Sequence, residues 1–450
     1  MTADPLRALS TALVAVLLVL ASAGACAMLP IEQWQSASGA KVLFVANRDL
    51  PMLDVSVEFP AGSGYDSAQK SGLAGVTLQL LRLGAGGLGE DEISRRIADV
   101  GAKMGGHFDA DRAGMALRTL SSAREREASL DVLARVLQQP EFPAPVLERE
   151  KARIIALLKE SDTKPEVIAS RAFNRMVYGR HPYGLRPSGE VDTVGALTRD
   201  DVLAFYRGHY FADRAVVAIM GDVSREEAAG IAERLTATLP RAGAHNVEIP
   251  AVPELAHAET RMIAHPATQA HILIGVPGVR RDDPDYYALF VGNYVLGGGG
   301  FQSRLMQQVR QQRGLAYSVY SYFAPMRQRG LFQIGLQTRK ESADDALKVV
   351  NDTLRKFLAD GPSEKELKAA KDNLIGGFPL RIDSNRKIHD YLGLIGFYDL
   401  PLSYLDDFVD RIAKVSVTDI KRAFARRVDP DALVTVVVGG AKSTASAERN

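Results

Sequence analysis

The sequence predicts an α+β protein, in which two homologous layered domains are joined by an extended linker. The main evidence is an internal repeat. The segment LTRDDVLAFYRGHYFADRAVVAIMGDV, which begins at Leu197, is similar to VSVTDIKRAFARRVDPDALVTVVVGGA, which begins at Val415. Three aligned pairs share one separation of 218 residues, namely Asp201 with Asp419, Asp213 with Asp431, and Gly221 with Gly439. A single offset for all three pairs indicates a duplicated domain.

The pattern inside each copy predicts how its elements are layered. The repeated block contains a capped helix, a turn with an aspartate, and a β-branched strand that ends in glycine. A second pair of strands, VSVEFPAG near Val55 and HILIGVPG near His271, also precedes a helix in each half. Each domain is therefore expected to form an antiparallel-rich sheet with helices packed on one face.

Length and composition agree with a globular protein of more than one domain. The chain has 450 residues, of which 46% are hydrophobic and 24% are charged, and this is too long for a single core. The net charge of +1 gives no electrostatic reason to expect nucleic acid or an anionic membrane as a partner.

Residues 1–27 have the pattern of a secretory signal. An apolar run from Ala8 to Ala21 is followed by small residues at alternate positions, Ala23, Ala25 and Ala27. We expect cleavage near residue 25 or 27 and a periplasmic mature protein. The alternative is a lipoprotein acylated on Cys26, the only cysteine, but alanine occupies position 23, where leucine is usual.

The first domain is predicted to span residues 35–240. It opens with two strands, KVLFVAN and LDVSVEF, and a third strand is expected near Met115 to Leu120. Helical periodicity is found over five segments, residues 72–83, 90–100, 123–138, 144–160 and 165–178.

Residues 241–260 are predicted to form the linker, and residues 261–445 the second domain. The linker RAGAHNVEIPAVPELAHAET is rich in proline and alanine and lacks sustained periodicity. The second domain contains a four-glycine turn, a helix from Ser303 to Gln312, a cap at Gly314 and a strand from Leu315. The turn lacks the lysine of a phosphate loop, which argues against nucleotide binding.

The histidines do not have the spacing of a helical metal site. They occupy positions 107, 181, 209, 245, 257, 265, 271 and 389, and no two are three or four residues apart. No helix can therefore present two imidazoles on one face. We expect His265 and His271 to be exposed strand residues, His107 to lie in a loop, and His181 to position a turn.

Four blocks resemble the pitrilysin or insulinase family of zinc peptidases, in particular its bacterial and mitochondrial-processing-peptidase-like branch. They are GLAGVTLQLL, FPAPVLEREKARIIALLKE, HPYGLRPSGEVDTVGALTRDDVLAFYRGHYFADRAVVAIMGDV and GGGGFQSRLMQQVRQQRGLAYSVYS. Active members carry HxxEH in the first block, where both histidines bind zinc and the glutamate is the general base.

The resemblance places the metal-site positions of this chain at Gly75, Leu78, Gln79 and Leu157, while Glu150 remains an acid. Glycine and leucine side chains have no lone pair for a metal, and Leu78 cannot accept a proton from water. The resemblance therefore implies that this chain holds no metal and is inactive alone.

The resemblance also implies a site in the second half. Arg310 and Tyr317 have the spacing R-x-x-x-x-x-x-Y found in members of the family that cleave peptides. It thus implies a non-catalytic subunit whose Arg310 and Tyr317 bind peptide and complete the active site of a homologous HxxEH-bearing zinc subunit. Unfolded peptides are the expected substrates, and a homodimer is the alternative assembly when that partner is absent. The alternatives are a structural scaffold and a peptide-binding companion without a catalytic role.

Overall fold

The computed structural model describes residues 30–243 and 247–439, so the predicted signal segment and Cys26 lie outside the described residues. The strands are β1 Glu32–Gln35, β2 Lys41–Ala46, β3 Met52–Phe59, β4 Gly84–Ala85, β5 Leu88–Gly89, β6 Lys103–Phe108, β7 Ala113–Leu120, β8 Val216–Gly221, β9 Glu259–Ile263, β10 Gln269–Pro277, β11 Ala316–Phe323, β12 Leu331–Arg339 and β13 Val434–Val438. Among the described residues, no helix is both long and apolar enough to cross a membrane.

The helices of the first half are α1 Leu73–Leu80, α2 Glu90–Asp99, α3 Ala123–Gln138, α4 Ala144–Ser161, α5 Pro165–Tyr178, α6 Val191–Ala196, α7 Arg199–His209 and α8 Arg225–Thr236. Those of the second half are α9 Tyr286–Asn293, α10 Ala343–Asp360, α11 Glu364–Gly376, α12 Asn385–Phe397, α13 Asp407–Lys414 and α14 Val417–Arg427. Two π-helical segments, Tyr294–Gly298 and Met306–Gln311, lie in the second half, and the first contains two of the four glycines of the glycine-rich turn.

Two sheets form the framework, and the predicted α+β class is confirmed. The first sheet has the strand order β1-β2-β8-β3-β7-β6, and the second has β11-β12-β10-β13-β9. Only β2 with β8 and β9 with β13 are parallel pairs within these two described sheets. The small antiparallel pair of β4 and β5 stands apart from them.

The duplication is visible in the structure. Helices α7 and α14 have equal length, and each begins with a capping box, formed by Thr198 with Asp201 and by Ser416 with Asp419. In such a box the side chains satisfy backbone N–H groups that the first helical turn leaves unpaired. Each helix leads into a fully buried strand, β8 or β13.

Each half also covers the second face of the other half's sheet with one helix. Helix α5 of the first half packs on β10 and β13, where Phe173 lies in one cluster with Val434 and Val436. Helix α12 of the second half packs on β2, β3 and β8. The local periodicity of the sequence gives no reason to expect a helix on the sheet of the other half. The exchange of α5 and α12 between the halves was therefore not predicted.

Two short strands lie across the predicted boundaries. Strand β1 begins before residue 35, and β9 begins within the predicted linker, residues 241–260. Both strands are mostly exposed and polar, so neither has the apolar alternation that signals a strand. Pairing with the sheet edge, β1 with β2 and β9 with β13, gives them their conformation.

The described part of the linker packs against the protein. Ile249 and Val252 are buried in the cluster that contains α5. The Nε2 of His181 donates a hydrogen bond to the carbonyl of Pro250 at 2.8 Å. Residues 247–258 have no regular secondary structure, but their contacts hold them in place.

A buried carboxylate joins the two halves. Asp111 is fully buried and accepts hydrogen bonds from the hydroxyls of Tyr183 and Tyr398 and from the backbone N–H of Arg327. Tyr398 and Arg327 belong to the second half. Burial raises the pKa of Asp111, against the effect of its three hydrogen bonds.

Candidate functional site

Helix α1 carries the predicted degenerate metal positions, and its start is firmly held. It begins after Gly72, whose φ of +94° lies in the left-handed region that favours glycine. The carboxylate of Asp66 accepts hydrogen bonds from the N–H groups of Gly72, at 2.8 Å, and Ala74, at 2.9 Å. Burial raises the pKa of Asp66 to about 7, although both hydrogen bonds favour the ionised form.

The structure brings Gly75, Leu78, Gln79 and Leu157 together. All four line one cavity of about 870 Å³ between α1 and α4, which we call the α1–α4 cavity. Gly75, Leu78 and Gln79 come from α1, and Leu157 comes from α4. The residues that the resemblance aligns with zinc ligands and general base therefore face a common space.

The side chains in this space do not fit a zinc ion. Gln79 donates its amide N–H to Glu150, and Arg153 donates to the same carboxylate oxygen at 2.8 Å. Arg149 donates to the other oxygen at 3.2 Å. Both carboxylate oxygens are therefore already used, and the described residues contain no cluster of three His, Cys, Asp or Glu side chains suited to a metal.

The charge of Glu150 is balanced by arginine. Glu150 is buried, and burial alone favours its protonated form. The hydrogen bonds and positive charges of Arg153 and Arg149 outweigh that effect and lower the pKa of Glu150. An ionised carboxylate beside the predicted metal positions thus needs no cation other than the protein's own guanidinium groups.

Tyr317 projects from a β-bulge on the outer strand of the second sheet. Ala316 pairs with Thr338 and Ser318 pairs with Gln337, so Tyr317 is the extra residue of β11. A bulge of this kind redirects a side chain, and bulges are frequent beside active sites. Tyr317 is 79% exposed, and its hydroxyl has no hydrogen-bond partner among the described residues.

Arg310 stacks against Tyr317. Its guanidinium carbon lies 4.6 Å from the centre of the Tyr317 ring and 4.9 Å from that of Phe301, which is also exposed. These are cation–π distances, at which the ring faces attract the guanidinium group. The structure therefore brings the two predicted residues together and adds Phe301, which sequence reasoning missed.

The backbone around Arg310 is unusual. The predicted helix from Ser303 to Gln312 forms, but it has π-helical hydrogen bonding over Met306–Gln311, as in the bond from the N–H of Gln312 to the carbonyl of Gln307. π-Helical turns occur frequently at functional sites. Gly314 has a φ of +61° and ends the helix as predicted.

The glycine-rich turn fits closely against β11. A Cβ atom on Gly297 would lie 2.4 Å from the hydroxyl of Ser321 and 2.6 Å from its backbone nitrogen. Only glycine allows this approach. The turn thus packs against the strand that carries Tyr317, and Phe301 follows it directly in the sequence.

The described histidines do not assemble a site. His181 accepts a hydrogen bond from the N–H of Tyr183 and so positions a turn, as predicted. His107 lies in β6 rather than in the predicted loop, because its segment pairs with β7. His271 is half-buried, and desolvation lowers its pKa.

The burial pattern of β11 reflects the bulge. Val319 and Ser321 are buried at alternate positions of β11, whereas buried Ala316 is one residue out of phase. Such a break in a period of two indicates an inserted residue. This break covers only a few residues, and it can be recognised only when the limits of β11 are known.

Comparison with known proteins found two family profiles and several relatives that match most of this chain. A family profile described as insulinase (peptidase family M16) matches residues 41–187, and one described as the peptidase M16 inactive domain matches residues 196–374. An uncharacterized zinc protease of Streptomyces coelicolor is 30% identical over 347 residues, which cover 75% of this chain and 74% of the relative.

Two further matches are similar to this chain over most of its length. A non-peptidase homologue from Helicobacter pylori is 25% identical over 409 residues, which cover 89% of this chain and 92% of that protein. The crystal structure of a peptidase M16 inactive domain from Pseudomonas fluorescens has a TM-score of 0.88 and 38% identity. That match covers 92% of this chain and 98% of the other.

Proposed function

The chain belongs to the insulinase family, peptidase family M16, and from that membership we propose that it is the non-metal-binding subunit of a heterodimeric periplasmic zinc metallopeptidase. It supplies Arg310 and Tyr317 to the active site of a homologous partner, which carries HxxEH and the zinc ion. The observation that carries this proposal is the contrast between the α1–α4 cavity, whose described lining offers no set of zinc ligands, and the Arg310–Tyr317 pair, whose side chains stack on each other.

The two side chains suit distinct steps of peptide hydrolysis. Attack on the scissile carbonyl creates negative charge on its oxygen, and the free hydroxyl of Tyr317 can donate a hydrogen bond to that oxygen. The guanidinium of Arg310 offers a planar set of donors for a peptide carbonyl or carboxylate. Stacking between them keeps the phenol in place before substrate binds, which avoids an entropic cost in the transition state.

The test is turnover of the reconstituted complex with Tyr317→Phe. Loss of one oxyanion donor reduces kcat by about 100- to 1000-fold, and zinc content should be unchanged because Tyr317 does not lie in the metal-binding chain. Tyr320→Phe is the matched control, since Tyr320 is also exposed on β11. Its turnover should remain close to that of the wild type.

The other outcomes separate the alternative functions. Normal turnover of the Tyr317→Phe complex would contradict the proposal and support a structural scaffold. Peptide binding without zinc-dependent cleavage by any co-purified partner would support a binding companion. Chelator-sensitive cleavage by the isolated chain would show that the metal positions had been assigned wrongly.

A further inference from the structure

The α1–α4 cavity has the properties of a ligand site, although it lacks metal ligands. Its walls are mainly apolar and include Val76, Leu78, Phe108, Met115, Ile154 and Leu157. Its volume of about 870 Å³ lies in the range of small-molecule sites. Leu78 and Leu157 occupy two of the four predicted degenerate metal positions. Their side chains cannot bind a metal, and they add to the apolar surface of the cavity.

Four basic side chains also line the cavity. Three of them are neutralised by neighbouring acids: Arg153 by Glu150, Lys164 by Glu160, and Arg186 by Asp162. The fourth, Arg82, is exposed and makes no hydrogen bond or ion pair with any part of the chain that the structure describes. The cavity thus combines apolar walls with one guanidinium whose donors are available.

We propose that the α1–α4 cavity binds an apolar carboxylate, with the hydrocarbon portion against the apolar walls and the carboxylate on Arg82. A guanidinium presents paired donors that match the two oxygens of a carboxylate. A fatty acid and the apolar C-terminal residue of a peptide share this chemistry. The inference goes beyond the proposed function and does not depend on it, because it needs neither a partner chain nor zinc.

The selectivity of the site follows from its charges. Glu150 and Glu160 are already paired with basic side chains, so a bound anion meets one free positive group and no unpaired negative one. An uncharged ligand with a hydrocarbon chain of the same length can contact the apolar walls but forms no ion pair with Arg82. The carboxylate should therefore increase affinity, while each methylene buried in the cavity adds to it.

The direct test is calorimetric titration of the isolated full chain with octanoate, decanoate and decanol. Decanoate should bind more tightly than octanoate by about fourfold per added methylene, and more tightly than decanol. A second arm uses an acetylated peptide ending in two leucines, with a free or an amidated C-terminus. Saturable binding of either acid supports the proposal and identifies its source, and absence of binding by both acids overturns it.

Two variants locate the binding. Arg82→Ala should weaken decanoate binding by about 10-fold and leave decanol binding unchanged. The control Arg124→Ala changes another exposed arginine that has no hydrogen-bond or ion-pair partner among the described residues, and it should have no effect. Equal affinity of Arg82→Ala and wild type for decanoate would contradict the assignment of the carboxylate.

The second variant fills the cavity. Leu157 is 51% exposed, so Leu157→Trp can be introduced without disturbing the core, and it should abolish binding of all the acids. Leu380→Trp is the matched control on an exposed leucine outside the cavity. Unchanged decanoate binding by Leu157→Trp would overturn the proposed location, and circular dichroism verifies that each variant is folded.

Discussion

Individual side chains explain why a buried carboxylate beside the predicted metal positions is stable without a metal. Gln79, Arg149 and Arg153 satisfy the buried carboxylate of Glu150, so the site has no unpaired charge that would favour zinc binding. Buried polar groups are tolerated only when they are paired in this way. The same principle applies to Asp111, which holds the two halves together through side chains of both.

Asp111→Ala should lower the free energy of unfolding by about 3 kcal/mol, because it leaves buried donors of Tyr183 and Arg327 without their acceptor. Urea denaturation followed by circular dichroism measures this change. Asp344→Ala, on an exposed acid at the start of α10, is the control and should cost less than about 1 kcal/mol. Equal effects of both substitutions would mean that the Asp111 network does not join the halves.

At the scale of elements, α1 and α4 carry the four positions that the resemblance aligns with a metal site. The four positions face one cavity, and Leu157 on α4 is about half exposed. A Cβ atom on Gly75 would meet the Phe108 ring at 3.5 Å, an ordinary contact, so packing does not require glycine there.

Restoring the ligands should therefore restore metal binding. The combined variant Gly75→His, Leu78→Glu, Gln79→His and Leu157→Glu should retain about one zinc ion per chain after dialysis, since two imidazoles and a carboxylate are a sufficient protein ligand set. Elemental analysis measures the content. A variant with Gly75→Ala and Gln79→Ala in place of both histidines should retain none, and a folded four-site variant without zinc would show that the positions are misaligned.

For the whole molecule, the exchange of α5 and α12 makes the two halves depend on each other. The predicted domain limits at residues 35–240 and 261–445 separate the second sheet from α5, which covers Val434 and Val436. Separating the halves at these limits would expose apolar surface on α5 and on the second sheet. Burial of that surface stabilises both halves. A cut in the linker therefore does not yield two independent domains.

Fragments 30–243 and 247–450 should each bind a hydrophobic dye and aggregate when they are expressed alone. Co-expression should recover a folded complex, because α5 and α12 then regain their partner sheets. Dye fluorescence, size-exclusion chromatography and thermal unfolding measure these properties. A cooperative native-like unfolding transition in isolated 247–450 would contradict this interdependence.

The sequence by itself determined the duplicated α+β architecture, the limits of the first five helices to within a few residues, and the side-chain types at Gly75, Leu78, Gln79 and Leu157. These features depend on local periodicity, on capping residues and on chemical identity, which act within a few residues. Only the tertiary structure decided that α1 and α4 enclose an apolar cavity, that α5 and α12 are exchanged, and that a bulge presents Tyr317 beside Arg310. Those features depend on pairing and packing between segments far apart in the chain, for which a local pattern contains no information.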